Sequence, residues 1–336
     1  MNKKLLTTSA LAGIVALTGT SFAETKIGGN LEYMYNATSD TTAAASSNGS
    51  GFEENINISS SKETDFGTLT YGFNLENSGT EGANLTLKTA GGTTIQIGAD
   101  SAPNLSQSVI PNTGESYQTV AGNVGTLAYK TSFNLGAGGT NLRKNGIGLH
   151  VGQDVAGGNL SVRYVPNSDN DLTSNPGDQS QTGRSSTRVL YTGSLGVEGL
   201  KVMAGWAQDD AADANTAKGK AKTLGVAYNF GQITVGAQRK NYEPTAATAS
   251  QDEYKTNEFG IGFAASDNLT LSLVHIVTDG DNDGTDFASK EKITGVGIGY
   301  NLGGIAVELS YADVSDAGGT SGSDGEAFQF RTVQKF

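Results

Sequence analysis

The chain contains no cysteine, and it has only two histidines and five prolines in 336 residues. Without cysteine it has no disulfide framework, no thiolate zinc site and no cysteine nucleophile. Two histidines are too few for a multi-histidine metal centre. Basic residues are also scarce, with 22 Lys and Arg against 34 Asp and Glu. This charge balance argues against a nucleic acid partner, because phosphate binding requires basic patches.

Long apolar runs are absent except at the N-terminus, where the run is short. Residues 1–23 combine the basic pair Lys3 and Lys4, an apolar stretch, and small residues before a cleavage site after Ala23. This organisation is typical of a secretory signal peptide, and the stretch is too short to span a bilayer. We predict that residues 1–23 are removed and that 24–336 form one domain. Loss of the two lysines changes the formal net charge from −12 to −14.

What the chain has in abundance is glycine, 47 residues in all, and, after residue 23, a two-residue alternation of apolar and polar side chains. Residues 69–76 and 305–311 each place an apolar side chain at every second position. This period puts one face of a strand in an apolar medium and the other in a polar one, which a helix cannot do. The alternation predicts sixteen strands, at residues 26–36, 52–61, 68–77, 83–89, 93–99, 145–153, 158–166, 186–195, 199–207, 222–230, 232–242, 254–265, 268–277, 291–301, 304–312 and 326–336.

The connections between these strands alternate between tight turns and long hydrophilic loops. Tight turns fall at 90–92, 154–158 and 302–304, whereas 167–185 and 243–253 are long. We therefore predict an all-β fold, a 16-stranded antiparallel transmembrane β-barrel with short periplasmic turns and long external loops. A secreted two-sheet sandwich would also alternate. Aromatic residues at the strand ends and a polar face rich in Gly, Ser, Thr, Asn and Gln favour the barrel.

Several segments resemble a known family. The last strand ends at Phe336 with aromatic residues upstream, as in Gram-negative outer-membrane proteins, and residues 27–33, 94–101 and 159–167 resemble strands of the general porin family. The resemblance implies a homotrimer that allows passive diffusion of small hydrophilic solutes. It also implies contact with outer-membrane lipid and lipopolysaccharide, recognition of Phe336 by the barrel assembly machinery, and a third external loop folded into the lumen.

The resemblance further implies a pore constriction built from this third loop and the facing wall. The loop would start at Asp100 and contain Glu115, with 109–111 packed against the wall. A transverse field between carboxylates and basic groups would orient polar solutes. The inward basic candidates, by strand parity, are Lys88, Arg163, Arg188 and Arg331. The charge of the mature chain suggests a mild cation preference.

One acidic segment matches part of a calcium-binding pattern. Asp279, Asp281 and Asp283 form the spacing D-x-D-x-D-G, which can surround a hard cation with oxygen ligands. The flanking strands and the lysine at the twelfth position exclude an EF-hand, so the choice is between an external calcium site and a solvated acidic loop. We expect no other cofactor.

Two functional alternatives remain at this stage. A barrel with a plugged lumen would act as an adhesin or a structural envelope protein. A barrel hydrolase would need a nucleophile, but the sequence contains no G-x-S-x-G elbow. We therefore expect a porin without enzymatic activity.

Overall fold

The computed structural model describes residues 24–40, 47–76, 79–98, 105, 107–113, 148–165, 185–210, 218–243, 253–282 and 285–336. Nearly all of these residues lie in β-strands. None of them belongs to a helix that is long and apolar enough to cross a bilayer. The predicted signal peptide, residues 1–23, lies outside the described residues.

The strands follow one another along the chain, and the longest interval between two of them separates β5 from β6. The first eight are β1 (Glu24–Asp40), β2 (Ser47–Thr64), β3 (Gly67–Glu76), β4 (Gly79–Lys88), β5 (Thr93–Gly98), β6 (Gly148–Val155), β7 (Gly158–Val165) and β8 (Ser186–Gly193). The others are β9 (Leu200–Asp209), β10 (Gly219–Asn229), β11 (Ile233–Glu243), β12 (Glu253–Ala264), β13 (Leu269–Asn282), β14 (Thr285–Asp286), β15 (Glu291–Asn301), β16 (Ile305–Ser315) and β17 (Gly325–Lys335).

All strands belong to one antiparallel sheet that closes on itself. Each wall strand pairs with its neighbours in sequence, and β1 pairs with both β2 and β17. Because β13 also pairs directly with β15, the two-residue β14 is an addition above the wall and the barrel has sixteen wall strands. The prediction of a sixteen-stranded barrel is confirmed, and closure leaves no open sheet edge.

The two faces of the wall differ as the alternation requires. In β12 the side chains of Phe259, Ile261 and Phe263 point outward and are 54%, 49% and 39% exposed, whereas the alternate residues Glu258 and Gly260 are buried on the inside. Since the described strands form a single sheet, nothing like the second layer of a sandwich covers this apolar face. The outer face therefore meets lipid, and the lumen takes the polar face.

Tight turns join the strands at one end of the barrel. Between β6 and β7, Ala156 and Gly157 have φ values of 49° and 70°, the left-handed pair that the twist of a two-residue hairpin favours. Asn229 and Ile233 are joined through a turn that contains Gly231 with φ 90°. These turns lie where the sequence predicted them, and the strand ends that flank the long connections lie at the opposite end.

Candidate functional site

Part of the connection between β5 and β6 lies inside the barrel. The side chains of Leu105, Val109 and Ile110 are at most 4% exposed. They face inward positions of strands far away in sequence. A Cβ atom added to Gly225 would be 2.7 Å from Val109 Cγ2, and one added to Gly262 would be 2.8 Å from Pro111 Cβ. The expected packing of residues 109–111 against the wall is therefore present.

Glycine makes this close approach possible, because it has no Cβ to hold the two backbones apart. Six inward-facing glycines would each place an added Cβ against the inner segment. We call them the glycine bed: Gly205, Gly225, Gly236, Gly260, Gly262 and Gly299. The bed runs from β9 to β15, so the described part of the inner segment follows one side of the lumen.

A buried amide ties the inner segment to this wall. Gln238, 3% exposed on β11, accepts a hydrogen bond from the Val109 N–H at 2.8 Å through Oε1. Its Nε2 donates to the Gln107 carbonyl at 3.0 Å and to Thr223 Oγ1 at 2.9 Å. A buried amide needs such partners, since an unsatisfied polar group in the interior costs about 1–3 kcal/mol. These hydrogen bonds satisfy the buried amide of Gln238 and hold the inner segment against β11.

The far end of the segment is held in the same way. The Thr113 N–H donates to Ser272 Oγ at 3.0 Å, and Ser310 Oγ donates to the Thr113 carbonyl at 3.3 Å. Two small hydroxyl side chains on β13 and β16 thus satisfy both backbone groups of one loop residue. The segment is anchored at Gln238 and again at Thr113.

A buried ion pair lies under the inner segment. Lys240 Nζ on β11 is 2.7 Å from Glu258 Oε1 on β12, and the two side chains are 1% and 3% exposed. Ser108 Oγ donates to Glu258 Oε2 at 3.0 Å. A buried pair is tolerated when its geometry is good and its remaining atoms are bonded. The sequence marked neither residue, because inward charges on an alternating strand look alike whether water or a loop covers them.

Arg331 lies on the inner face, as its parity predicted, but its partners are wall carboxylates. Its Nε and Nη2 donate to Glu32 Oε1 and Oε2 at 2.6 and 2.7 Å, and its Nη1 donates to Glu308 Oε2 at 2.9 Å. The bidentate geometry makes these strong, charge-assisted hydrogen bonds. They join β16, β17 and β1 where the barrel closes. Two carboxylates against one guanidinium leave this patch negative.

Arg163 and Arg188 form a basic row on a different part of the wall. The two residues are Cα partners on β7 and β8, and both are buried. His150 on β6 is the partner of Arg163 on its other side, and its Nδ1 is 3.3 Å from Gln96 Oε1 on β5. Sequence reasoning missed His150, because its place in the row depends on strand register.

Two of the other constriction candidates, Lys88 and Arg331, lie away from this row. Lys88 is exposed on β4, and Arg331 lies on β17. Asp100 and Glu115 lie outside the described residues. Of the predicted basic set, the structure therefore places only Arg163 and Arg188 side by side.

The wall of β1 and β2 carries a recess. It has a volume of about 490 Å³ and is lined by Glu32, Glu53, Asn36 and Asn48, among others. Glu53 is exposed in the recess, whereas Glu32 holds Arg331. The lumen wall therefore has an acidic side at β1, β2 and β16 and a basic side at β6–β8.

Two of the three proposed calcium ligands do not lie on the loop turn that the pattern suggested. β13 continues to Asn282 and pairs with β12 over this stretch, so Asp279 and Asp281 belong to an extended strand. Asp279 Oδ2 is 2.7 Å from Lys290 Nζ, and Asp283 lies outside the described residues. Among the residues that the structure describes, no three acidic or histidine side chains are grouped to hold a metal. The calcium site stays a prediction.

A closed barrel with an apolar exterior, a polar lumen and a segment anchored along its inner wall defines an outer-membrane channel protein. The family model for the Gram-negative porin matches residues 7–273. The chain therefore belongs to the Gram-negative porin family and is a protein of the outer membrane. No curated protein matches the sequence.

Solved structures share the fold at low identity. An OmpT variant with loop L8 deleted, an outer membrane protein of Vibrio cholerae, has a TM-score of 0.67 at 11% identity and covers 94% of this chain and 100% of its own. An anion-selective porin from Comamonas acidovorans gives 0.66 at 14%, with 94% and 100% covered. A mutant Rh. blastica porin gives 0.61 at 16%, with 93% and 100% covered.

Proposed function

We propose that this protein lets small hydrophilic solutes and ions diffuse passively through a water-filled lumen, without catalysis. The supporting observation is the course of the inner segment. Residues 107–113 are bound along the wall of β10–β16, while Glu53 and Asn57 on the inner face of β2 remain exposed. A barrel of sixteen strands is wide enough to leave an aqueous channel beside such a segment.

We also propose a mild cation preference. The support is the acidic side of the wall, where Glu32 and Glu308 share one guanidinium and Glu53 is exposed. The anion-selective porin from Comamonas acidovorans shares only the fold at 14% identity, so its selectivity does not carry over. A reversal potential in a salt gradient tests the preference, and a larger permeability for chloride than for potassium would contradict it.

Conductance in planar bilayers tests the diffusion proposal directly. We expect stepwise currents that scale with salt concentration and that graded neutral polymers block up to a size limit. Protein denatured by boiling before reconstitution is the control. A barrel that acts as a plugged adhesin or envelope scaffold would pass little current, and that result would reject the proposal.

Three partners follow from family membership, and we propose them for this chain: two further copies in a homotrimer, outer-membrane lipid with lipopolysaccharide, and the assembly machinery that reads Phe336. The last has a local support, since the Phe336 N–H donates to the Gly29 carbonyl at 3.1 Å and completes the closure. Deletion of Phe336 should reduce the amount of heat-modifiable barrel in the membrane. Cross-linking before and after boiling in SDS should reveal the trimer.

A further inference from the structure

The lumen wall carries two methionines that differ in their access to water. The chain contains three methionines, of which Met1 belongs to the predicted signal peptide. Met203 on β9 is 1% exposed, in an apolar cluster with Leu105 of the inner segment. Met34 on β1 is partly exposed and lines the recess between β1 and β2. A small molecule dissolved in the lumen therefore reaches the sulfur of Met34 and not that of Met203.

Two glycines on β2 keep the recess open beside Met34. Gly51 is the Cα partner of Met34, and Gly49 is the Cα partner of Asn36. A Cβ atom added at either glycine would meet nothing within 4 Å. The recess has a volume of about 490 Å³, and one water molecule occupies about 30 Å³ of the liquid. The space beside the sulfur therefore admits several small hydrophilic molecules.

Two amide groups point their N–H bonds at the Met34 sulfur. Asn36 Nδ2 is 3.2 Å and Gln329 Nε2 is 3.3 Å from Met34 Sδ. The Gln329 side chain is 2% exposed, and its Nε2 also donates to Asn36 Oδ1 at 3.0 Å, which holds the two amides in place. A thioether sulfur is only a weak acceptor. The site therefore has donors in position for a stronger acceptor than the one it holds.

We propose that Met34 is a site of oxidative modification, at which a hydrophilic peroxide from the lumen converts the thioether to the sulfoxide. A sulfur lone pair attacks one peroxide oxygen, and the S–O bond forms as the O–O bond breaks. The second oxygen leaves with the proton of the transferred hydroxyl as water. Sulfur loses two electrons and the peroxide gains them, so no further reactant is needed.

The sulfoxide oxygen then accepts hydrogen bonds from the amides that now donate to the sulfur. The modification converts an apolar group of the lumen wall into a polar one, and the fold accommodates the change because the donors are already there. This proposal rests on the proposed function in one respect, since the peroxide reaches the recess through a water-filled lumen.

The first test compares the two methionines of the folded, full-length barrel in detergent. The protein is treated with graded hydrogen peroxide, and mass spectrometry measures the oxygen gained by the peptides that contain Met34 and Met203. We expect Met34 to react about tenfold faster than Met203, because the oxidant must reach the sulfur. Protein boiled in SDS is the control: both side chains are then exposed, and the two rates should become equal.

The second test concerns the amides. Asn36 and Asn48 both line the recess, but among the described contacts only Asn36 donates to the sulfur. We expect peroxide to lower the midpoint of guanidinium unfolding in Asn36→Leu, because a polar oxygen that lacks donors is costly to bury. The midpoints of the unaltered protein and of Asn48→Leu should stay where they are. Met34→Leu has no sulfur at this position, and its midpoint should not respond to peroxide.

Two results would overturn the proposal. One is equal oxidation of Met34 and Met203 in the folded barrel, and the other is an equal response of Asn36→Leu and Asn48→Leu to peroxide. Single-channel conductance of the unaltered protein is measured in parallel. A conducting barrel with an unreactive Met34 would overturn this proposal alone, whereas selective oxidation of Met34 in a barrel that passes no current would reject the diffusion proposal alone.

Discussion

The two sides of the lumen wall are built from the same alternating strands but have different interiors. From β9 to β16 the inward positions carry glycine, a buried amide and a buried ion pair, and an inner segment covers them. From β1 to β4 the inward positions carry larger polar side chains that remain in contact with water, such as Asn57 and Lys88. One side resembles the core of a soluble protein, and the other resembles a wet surface. The same alternation of apolar and polar side chains therefore supports both a covered, core-like interior and an interior that faces water.

The covered side gains its stability from burial, which the open side lacks. Full burial of a side chain such as Val or Ile contributes about 1.5–3 kcal/mol, and Val109 and Ile110 are both buried against the glycine bed. Exposed polar groups on the open side gain little, because water already satisfies them. Substitutions on the two sides should therefore have unequal effects.

The largest effect should come from the buried ion pair. Replacing Lys240 with Met leaves the Glu258 carboxylate buried without its cation, and breaking a buried pair in this way costs about 3–5 kcal/mol. Lys218→Met is the matched control, because its pair with Asp210 at 2.9 Å is exposed to water and is worth only about 0–1 kcal/mol. Guanidinium unfolding in detergent micelles measures both. Equal losses in the two variants would contradict the distinction between the two sides.

The next effect should come from the glycine bed. Gly260→Val would place a branched side chain where Ile110 now packs, and overpacking of this kind costs about 1–3 kcal/mol. We expect the inner segment to move off the wall, which limited proteolysis and a changed single-channel conductance would report. At Gly51 an added Cβ meets nothing within 4 Å, so Gly51→Val should leave both readouts as they are. If the inner segment of Gly260→Val stayed protected from proteolysis, the glycine bed would not be what positions the segment.

A smaller effect is expected at the closure of the barrel, and it concerns selectivity more than stability. Arg331→Gln removes the cation between Glu32 and Glu308, so the acidic side becomes more negative and the reversal potential should shift toward greater cation permeability. Arg331→Lys keeps the charge without the bidentate geometry and should preserve the selectivity. An unchanged reversal potential in Arg331→Gln would mean that this patch does not act on permeant ions.

The smallest effect on stability is expected at the rim of the barrel, where water reaches both the covered side and the open side of the wall. The Ser185 hydroxyl donates to the Asp210 carboxylate, and with Lys218 it holds the pKa of Asp210 below its usual value. Because the folded-state pKa is lowered, this contact stabilises the fold above the ordinary pKa of aspartate and is lost as the pH falls through the lowered value. Ser185→Ala should raise the pKa of Asp210 in an NMR titration by more than Gln208→Ala does. The reverse order would contradict the assigned cause.

The strands could be predicted because alternation is local. Each of the sixteen predicted spans overlaps one wall strand, and 291–301 coincides with β15. Boundaries were less predictable where strands extend beyond the membrane: β13 runs to Asn282, although the segment after 277 reads as a loop. Paired carboxylates and glycines in that stretch resemble a turn, but pairing with β12 keeps the backbone extended.

The site was less predictable because its contacts join distant residues. The packing of residues 109–111 could be anticipated from an apolar patch in a hydrophilic connection. The glycine bed could not be anticipated. In the sequence a glycine indicates a turn or a small residue on the polar face, and only the structure shows that the inner segment packs on it. Arg331 and Glu32 are 299 residues apart in sequence, and only closure of the barrel makes them neighbours.

That closure has a consequence for the order in which the molecule is made. The seam joins β1 to β17, so the first and last strands of the polypeptide must meet before the wall is complete. Until the final residue has been delivered, both edges of the growing sheet carry unpaired backbone groups that lipid cannot satisfy. Insertion and ring formation therefore depend on the whole chain having left the cytoplasm, and a truncated polypeptide would reach the membrane with its edges still open.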